Sequence, residues 1–367
     1  MIVTSGCTGG SHKASPNPSE TSAAATRADA ADLVVAPGQP VSQLALDANF
    51  VGYIHGVGGA TQFNQLSIRS RSGAYPVVLE RTGSYPNGGI YNLAIGSGWA
   101  VWTETSEIVT AQNGDVQWSV VAANLKTKAQ RVIATSIDAT LAPKAVLGNG
   151  TIAFGVRPHD RTISTPGSRP DPIEYVRLDS IETVHTLTSS VQFDPLTIAT
   201  AKDGLYLAII EQGQQGLDLL PFAGAQRALY RGPLQIAAIS EGTFGATDPA
   251  QDSEDGSAGV SQNLTICAVQ CVKPVTLVKG PGVSEQVLGT QIVTFSGDRT
   301  ADATAIAAGD ITVVSDTGAH IDALKVGALD YAGWAVSGMT VAWTEPSTQD
   351  ASTRSERIHL RTYTLVR

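Results

Sequence analysis

The chain has 367 residues, room for one large domain or two ordinary ones, and charged residues make up only 16% of it. A net charge of −9 with scattered Lys and Arg excludes a nucleic-acid surface, because phosphate binding needs clustered basic groups to release counterions. No run of about 18 apolar residues is present, so nothing in the sequence reads as a membrane-spanning helix.

In chain order, residues 1–30 come first. They are a Ser, Ala and Pro-rich tract that cannot bury enough apolar area to offset the entropy of ordering it, which predicts a flexible tether. Within it, the run Val3-Thr4-Ser5-Gly6-Cys7 resembles the end of a bacterial lipoprotein signal, where small residues precede the cysteine that takes the lipid. The basic start and apolar core of such a signal are not in the sequence. Lipidation of Cys7 therefore requires an upstream start or a signal already trimmed, and the competing reading is a plain tail with a chance cysteine.

Residues 31–367 read as one all-β domain. Val, Ile, Ala and Leu dominate the apolar set, and 37 Gly and 18 Pro supply turns. A pattern recurs about every 50 residues: a strand, a Gly or Asn turn, a more apolar strand, a polar loop, a third strand, a short turn and a fourth. The inner pairs fall at 43–46 with 50–54, 92–95 with 99–102, 145–147 with 151–154 and 197–199 with 205–209. Three more follow at 235–238 with 243–246, 286–288 with 292–295, and 333–336 with 339–343. Four strands repeated at a fixed period are the signature of a β-propeller, here with seven blades, although six or eight also fit the spacing. A β-sandwich has no reason to repeat one four-strand order.

The last unit lacks its outermost strand. Asp32-Leu33-Val34-Val35-Ala36 is an apolar segment with no other role, and it is expected to complete that unit and close the ring, removing an exposed edge. The clearest unit is 91–135. Its outer hairpin, VVAANLKTKAQRVIAT, and the VWTE strand before it resemble TolB-like propellers of the WD type. The likeness covers two of the seven units well and the others by pattern. It implies a propeller and a place in an envelope assembly, and no chemistry.

Cys267 and Cys271 flank a tight turn in NLTICAVQCVKPVTL. They read as a small disulfide loop, with a reduced buried pair or, less in keeping with the surroundings, a metal site as alternatives. The long connections between second and third strands, at 103–115, 157–172, 247–262, 296–310 and 345–356, share one face of a propeller and suggest a binding surface. Candidate contacts there are Arg157, His159, Asp160 and Arg161, together with Asp298 and Arg299. Solvated loop residues would look the same. Glu104 and Glu345, each following a Trp-Thr pair, are expected near a rim of the central channel, either contacting a ligand or serving the structure.

No nucleophile motif accompanies His159 and Asp160, and the six histidines lack zinc-hydrolase spacing. Four carboxylates within 248–257 leave calcium possible but unsupported, because they lack the order of a calcium loop, and no cofactor is expected. The sequence thus reads as a non-catalytic binding or protein-interaction module of the bacterial cell envelope. It would be monomeric, attached to the membrane only through lipid, and would take a protein, glycan or small ligand on the long-loop face. The alternative is a propeller enzyme, a hydrolase or lyase working on a glycan or small molecule at the channel mouth.

Overall fold

The computed structural model describes residues 25–35, 39–56, 62–108, 115–136, 139–156, 172–211, 214–232, 235–239, 243–247, 264–268, 275–278, 283–288, 292–297, 310–315, 320–325, 334–346 and 356–365. Among these residues there is no helix, and the strands form seven four-stranded antiparallel sheets and one two-stranded ribbon.

From inner to outer strand, the first sheet is Val41–Leu46, Phe50–His55, Gln65–Ser70 and Val77–Thr82. The second is Gly89–Gly96, Trp99–Thr105, Trp118–Asn124 and Gln130–Thr135. The third is Val146–Gly148, Thr151–Gly155, Pro172–Arg177 and His185–Thr188, and the fourth Phe193–Thr200, Gly204–Glu211, Gln214–Pro221 and Arg227–Gly232. The fifth is Gln235–Ile239, Thr243–Thr247, Leu264–Ala268 and Val275–Val278, and the sixth Val283–Leu288, Ile292–Gly297, Asp310–Ser315 and His320–Lys325. The seventh is Trp334–Ser337, Thr340–Pro346 and Glu356–Leu365, with Ala25–Val34 as its outer strand. The ribbon pairs Asp115–Val116 with Thr140–Leu141 beside the second sheet.

Each inner strand packs beside the next, from first to seventh, and the seventh packs beside the first. Radial sheets around a shared axis are the β-propeller arrangement. The turns from inner to second strand explain why so many units carry Gly or Asn. Ser97 and Gly98 have φ of 53° and 75°, and Asn149 and Gly150 have 49° and 68°. Two successive residues at positive φ make the hairpin turn whose twist matches the strands it joins.

The core lies in the seams between sheets. Strands alternate their side chains, so a second strand buried on both faces feeds two seams at once. In the second sheet, Trp102 packs with Ile54, Leu66 and Ile68 of the first, whereas Val101 and Val120 pack with Ile152 and Phe154 of the third. Corresponding clusters join the third sheet to the fourth, the fourth to the fifth and the sixth to the seventh. Burying such a Leu, Ile or Phe contributes about 1.5–3 kcal/mol each.

The outer strand is tied into the seventh sheet by backbone pairing and charge, and two polar contacts cross from that sheet to the first. Asp32, Leu33 and Val34 lie opposite His359, Ile358 and Arg357, and the Val35 amide donates to the Glu356 carbonyl at 2.8 Å. The His359 ring and Asp32 lie 2.8 Å apart, and Arg357 stands 3.8 Å from the same carboxylate. Glu356, fully buried, accepts from the Val41 amide at 3.0 Å, and Arg71 reaches Thr340 at 3.2 Å. The outer strand begins at Ala25, so it includes residues 25–30, which the composition alone assigned to the tether. Backbone pairing along Glu356–Leu365 asks little of side-chain chemistry, so an Ala-rich stretch can serve.

Candidate functional site

The inner strands enclose a channel. A cavity of about 560 Å³ lies in it, lined by residues from six of the sheets and reaching the inner hairpin turns at Ser97, Asn149 and Gly338. A second cavity, of about 310 Å³, opens beside the first and second sheets toward the other end, where Thr105 and Ile108 lead into a second-to-third connection. The two cavities share Gln43 and Asn92.

Asn92 is unusual in three ways. It sits in a β-bulge: Tyr91 lies opposite Thr103 and Ala94 opposite Val101, so two residues of the inner strand have no single partner. Its φ of 53° makes it the only non-glycine at positive φ within a strand among the described residues. Asn adopts this region more readily than most residues, and the bulge re-aims its side chain. It is 7% exposed, and its Nδ2 is buried without a hydrogen-bond partner. An orphaned buried amide of this kind costs about 1–3 kcal/mol.

Gln43, on the neighbouring inner strand, accepts from the Leu93 amide through Oε1 at 3.0 Å. That bond fixes which end of the amide is which, and leaves Nε2 as the free donor. Lys144 lines the larger cavity just before the third inner strand. The Lys144 side chain keeps solvent contact, but crowding by the surrounding protein lowers its ammonium pKa below the usual lysine range, and the Asp194 carboxylate acts in the opposite direction. Asp47, the one carboxylate on this lining, is committed to its turn, accepting from the Asn49 and Phe50 amides at 2.7 Å each. A third amide on the lining, Asn149, donates to the Thr200 carbonyl at 3.3 Å, so the donors left to a ligand are the Gln43 and Asn92 amides and the Lys144 ammonium.

Glu104 is not at the rim. It is fully buried in the seam between first and second sheets, accepting from Arg81 at 2.5 Å, from the Trp102 indole at 2.9 Å and from the Ser84 amide at 2.8 Å. Burial raises its pKa, but the hydrogen bonds from Arg81, Trp102 and Ser84 outweigh it and hold the carboxyl below its ordinary range. The physical reason for its placement is strand alternation. Two residues after Trp102 on the same strand, Glu104 shares the face that the tryptophan buries.

A related cluster lies between sixth and seventh sheets. There the Arg361 guanidinium stands 5.3 Å over the Trp343 ring and bonds Asp322 at 2.7 Å, while the Tyr363 hydroxyl donates to the same carboxylate at 3.0 Å. Burial raises the Tyr363 pKa, and Asp322 reinforces the effect. In both seams a second-strand tryptophan lies under an arginine paired with a carboxylate. The signs are exchanged across the seam: the neighbouring sheet supplies the arginine in one and the carboxylate in the other. Glu345 lies at the end of its strand with its backbone opposite Arg357.

Arg157, His159, Asp160, Arg161, Asp298 and Arg299 lie outside the described residues, as do Cys7, Cys271 and the acidic run at 248–257. Cys267 is on the third strand of the fifth sheet, its backbone opposite Phe244. No group of three or more metal-ligating side chains occurs among the described residues. Sequence reasoning missed Gln43, Asn92 and Lys144 as site residues. One signal was present: an Asn in an otherwise apolar strand is against strand preference and tolerates positive φ.

No protein-family model matches the chain, and no curated protein matches it. Solved structures do. One of two prolyl endopeptidases is similar over 85% of this chain and 46% of that one, at 11% identity and a TM-score of 0.51. Pyrococcus horikoshii acylaminoacyl peptidase is similar over 83% of this chain and 49% of that one, at 7% identity and a TM-score of 0.52. The β-propeller domain of the trilobed protease from Pyrococcus furiosus matches over 70% of this chain and 79% of its own, at 11% identity and a TM-score of 0.45. At these identities the likeness is one of fold. The chain spans about half the length of the two peptidase structures.

Proposed function

We propose that the chain is a non-catalytic binding module whose ligand enters the central channel of the propeller. The observation that carries this reading is the channel lining, a cavity of about 560 Å³ whose uncommitted polar groups include two side-chain amides and one ammonium. Cavities of about 300–1,000 Å³ with a few convergent polar groups on an apolar wall are the usual form of a small-molecule site. A hydrolase or lyase would need an acid and a base converging on a substrate. Asp47, held in its turn, is the single carboxylate on the lining among the described residues.

The wider setting rests on sequence features. Cys7 would carry the lipid, the residues before Ala25 would contribute the tether, and Cys267 with Cys271 would form a disulfide suited to an oxidising compartment. On this reading the protein is a monomeric, TolB-like propeller of the bacterial envelope whose long second-to-third connections would supply a further binding face. Glycans and proteins could be held by that loop face as well.

The test is to incubate the protein with a small-molecule extract of bacterial envelopes, isolate it by gel filtration and identify what it retains by mass spectrometry. A compound retained unchanged by the native chain and lost from Ala94→Trp, which fills the channel, supports the reading. Chemical conversion of the compound, or retention untouched by Ala94→Trp, overturns it.

A further inference from the structure

The polar groups of the channel are unequal in a way that specifies a ligand. Gln43 spends its oxygen on the Leu93 amide, so what it presents is Nε2. Asn92 keeps Nδ2 buried without a partner at the point where the two cavities meet. Lys144 makes no salt bridge among the described residues, and its ammonium lines the same cavity. Three donor groups with unspent capacity, one of them an ammonium, beside a single carboxylate (Asp47) already engaged by its own turn, call for an acceptor-rich ligand with a single negative charge. Phosphoryl groups carry more charge and are normally met by arginines or helix N-termini, which this lining lacks among the described residues. Ile95, Leu147 and Ile198 on the same wall suit an apolar body.

We infer that the channel takes a small organic carboxylate with an apolar body, its acceptor oxygens bonded by the Gln43 and Asn92 amides and its charge paired with Lys144. The inference rests on the channel-binding reading above and narrows it to a ligand class. The buried amide of Asn92 would recover its lost hydrogen bond only when the ligand is present, which is how an orphaned donor contributes to affinity. The depressed lysine pKa agrees, since an anionic partner would restore the charged form.

The experiment titrates the full chain with N-acetylleucine and with N-acetylleucinamide, its neutral counterpart, by isothermal calorimetry and ligand-observed NMR. The expected result is saturable binding of the acid, at least about tenfold tighter than the amide, corresponding to one charge-assisted contact. Lys144→Met and Asn92→Gly should each weaken the acid by about tenfold. Glycine is the choice at position 92 because it keeps the positive φ while removing the amide. Circular dichroism melts of both variants confirm that they fold.

Equal affinity for acid and amide, or binding unchanged in Lys144→Met and Asn92→Gly, would overturn the carboxylate assignment. If the amide binds and Ala94→Trp abolishes it, the channel-binding reading survives that loss. Failure of both probes overturns the carboxylate assignment too. Should Ala94→Trp also retain whatever the envelope extract supplies, the channel reading goes with it.

Discussion

The seam at Glu104 and the channel at Asn92 lie in the same sheet, on adjacent strands, and treat buried polar groups in opposite ways. Glu104 is surrounded by donors that together satisfy it: a guanidinium, an indole N–H and a backbone amide. Asn92 is held on a bulged strand at positive φ with its amide nitrogen unpaired. A saturated network fixes the angle between two sheets and has nothing left to offer a ligand. An unsaturated one costs the fold free energy that a ligand can return. The difference separates scaffold from site without reference to residue type, and it reverses the ranking that charge alone would suggest.

The sharpest way to break this contrast is to damage the seam. Arg81→Ala leaves Glu104 buried without its cation, and is expected to cost about 3–5 kcal/mol, read by urea denaturation. Binding of N-acetylleucine to the folded protein should change by no more than about twofold, because separated sites act nearly additively. Glu104→Gln is milder, at about 1–3 kcal/mol, since its one amide oxygen in place of Oε1 can still accept from Arg81 and Trp102, while the Ser84 amide loses its acceptor. It should also remove part of the acid sensitivity. The folded carboxyl titrates below its ordinary value, so its contribution is present above that value and is lost as pH falls through the depressed pKa. Melts at decreasing pH should therefore fall less steeply in Glu104→Gln than in the native chain.

At the channel the expected sign is the reverse. Asn92→Gly removes an orphaned donor and relieves positive φ, and should leave stability unchanged or raise it by up to about 1 kcal/mol. The smallest effect concerns His55, buried against Ser67 Oγ at 3.1 Å and the Gly56 carbonyl at 3.2 Å. Burial lowers its pKa, with the Gly56 bond and Glu80 opposing. A neutral buried imidazole contributes fully above the unfolded pKa of about 6.5, and the contribution is lost as pH falls below that value toward the folded pKa. His55→Gln should flatten the melting temperature between pH 7 and 5 slightly, measured by calorimetry.

Much of the architecture could be read from residues because it is written locally. Inner and second strands are adjacent in sequence, their turns announce themselves as Ser97-Gly98 or Asn149-Gly150, and Trp102 and Trp343 mark equivalent seams. Even the pairing of the segment at Asp32 with the last strand was legible, since a four-strand unit short of one strand needs another segment to finish it. The start of that strand at Ala25 was not, because its pairing is carried by backbone. The channel site was hidden for a different reason. Gln43, Asn92 and Lys144 come from three successive repeats, about 50 residues apart each time, and converge only when the sheets pack around one axis. For Glu104 the structural role was among the readings, and only its expected place at a rim differs, since strand alternation puts it on the face that Trp102 buries.

The contrast between seam and channel is tested most directly by measuring N-acetylleucine affinity and thermal stability together in Asn92→Gly and Glu104→Gln. The account predicts a crossed result. Asn92→Gly should lose affinity by about tenfold and keep its melting temperature, while Glu104→Gln keeps its affinity and melts earlier. If Asn92→Gly instead melts earlier and binds as well as the native chain, its amide belongs to the scaffold and the account is wrong.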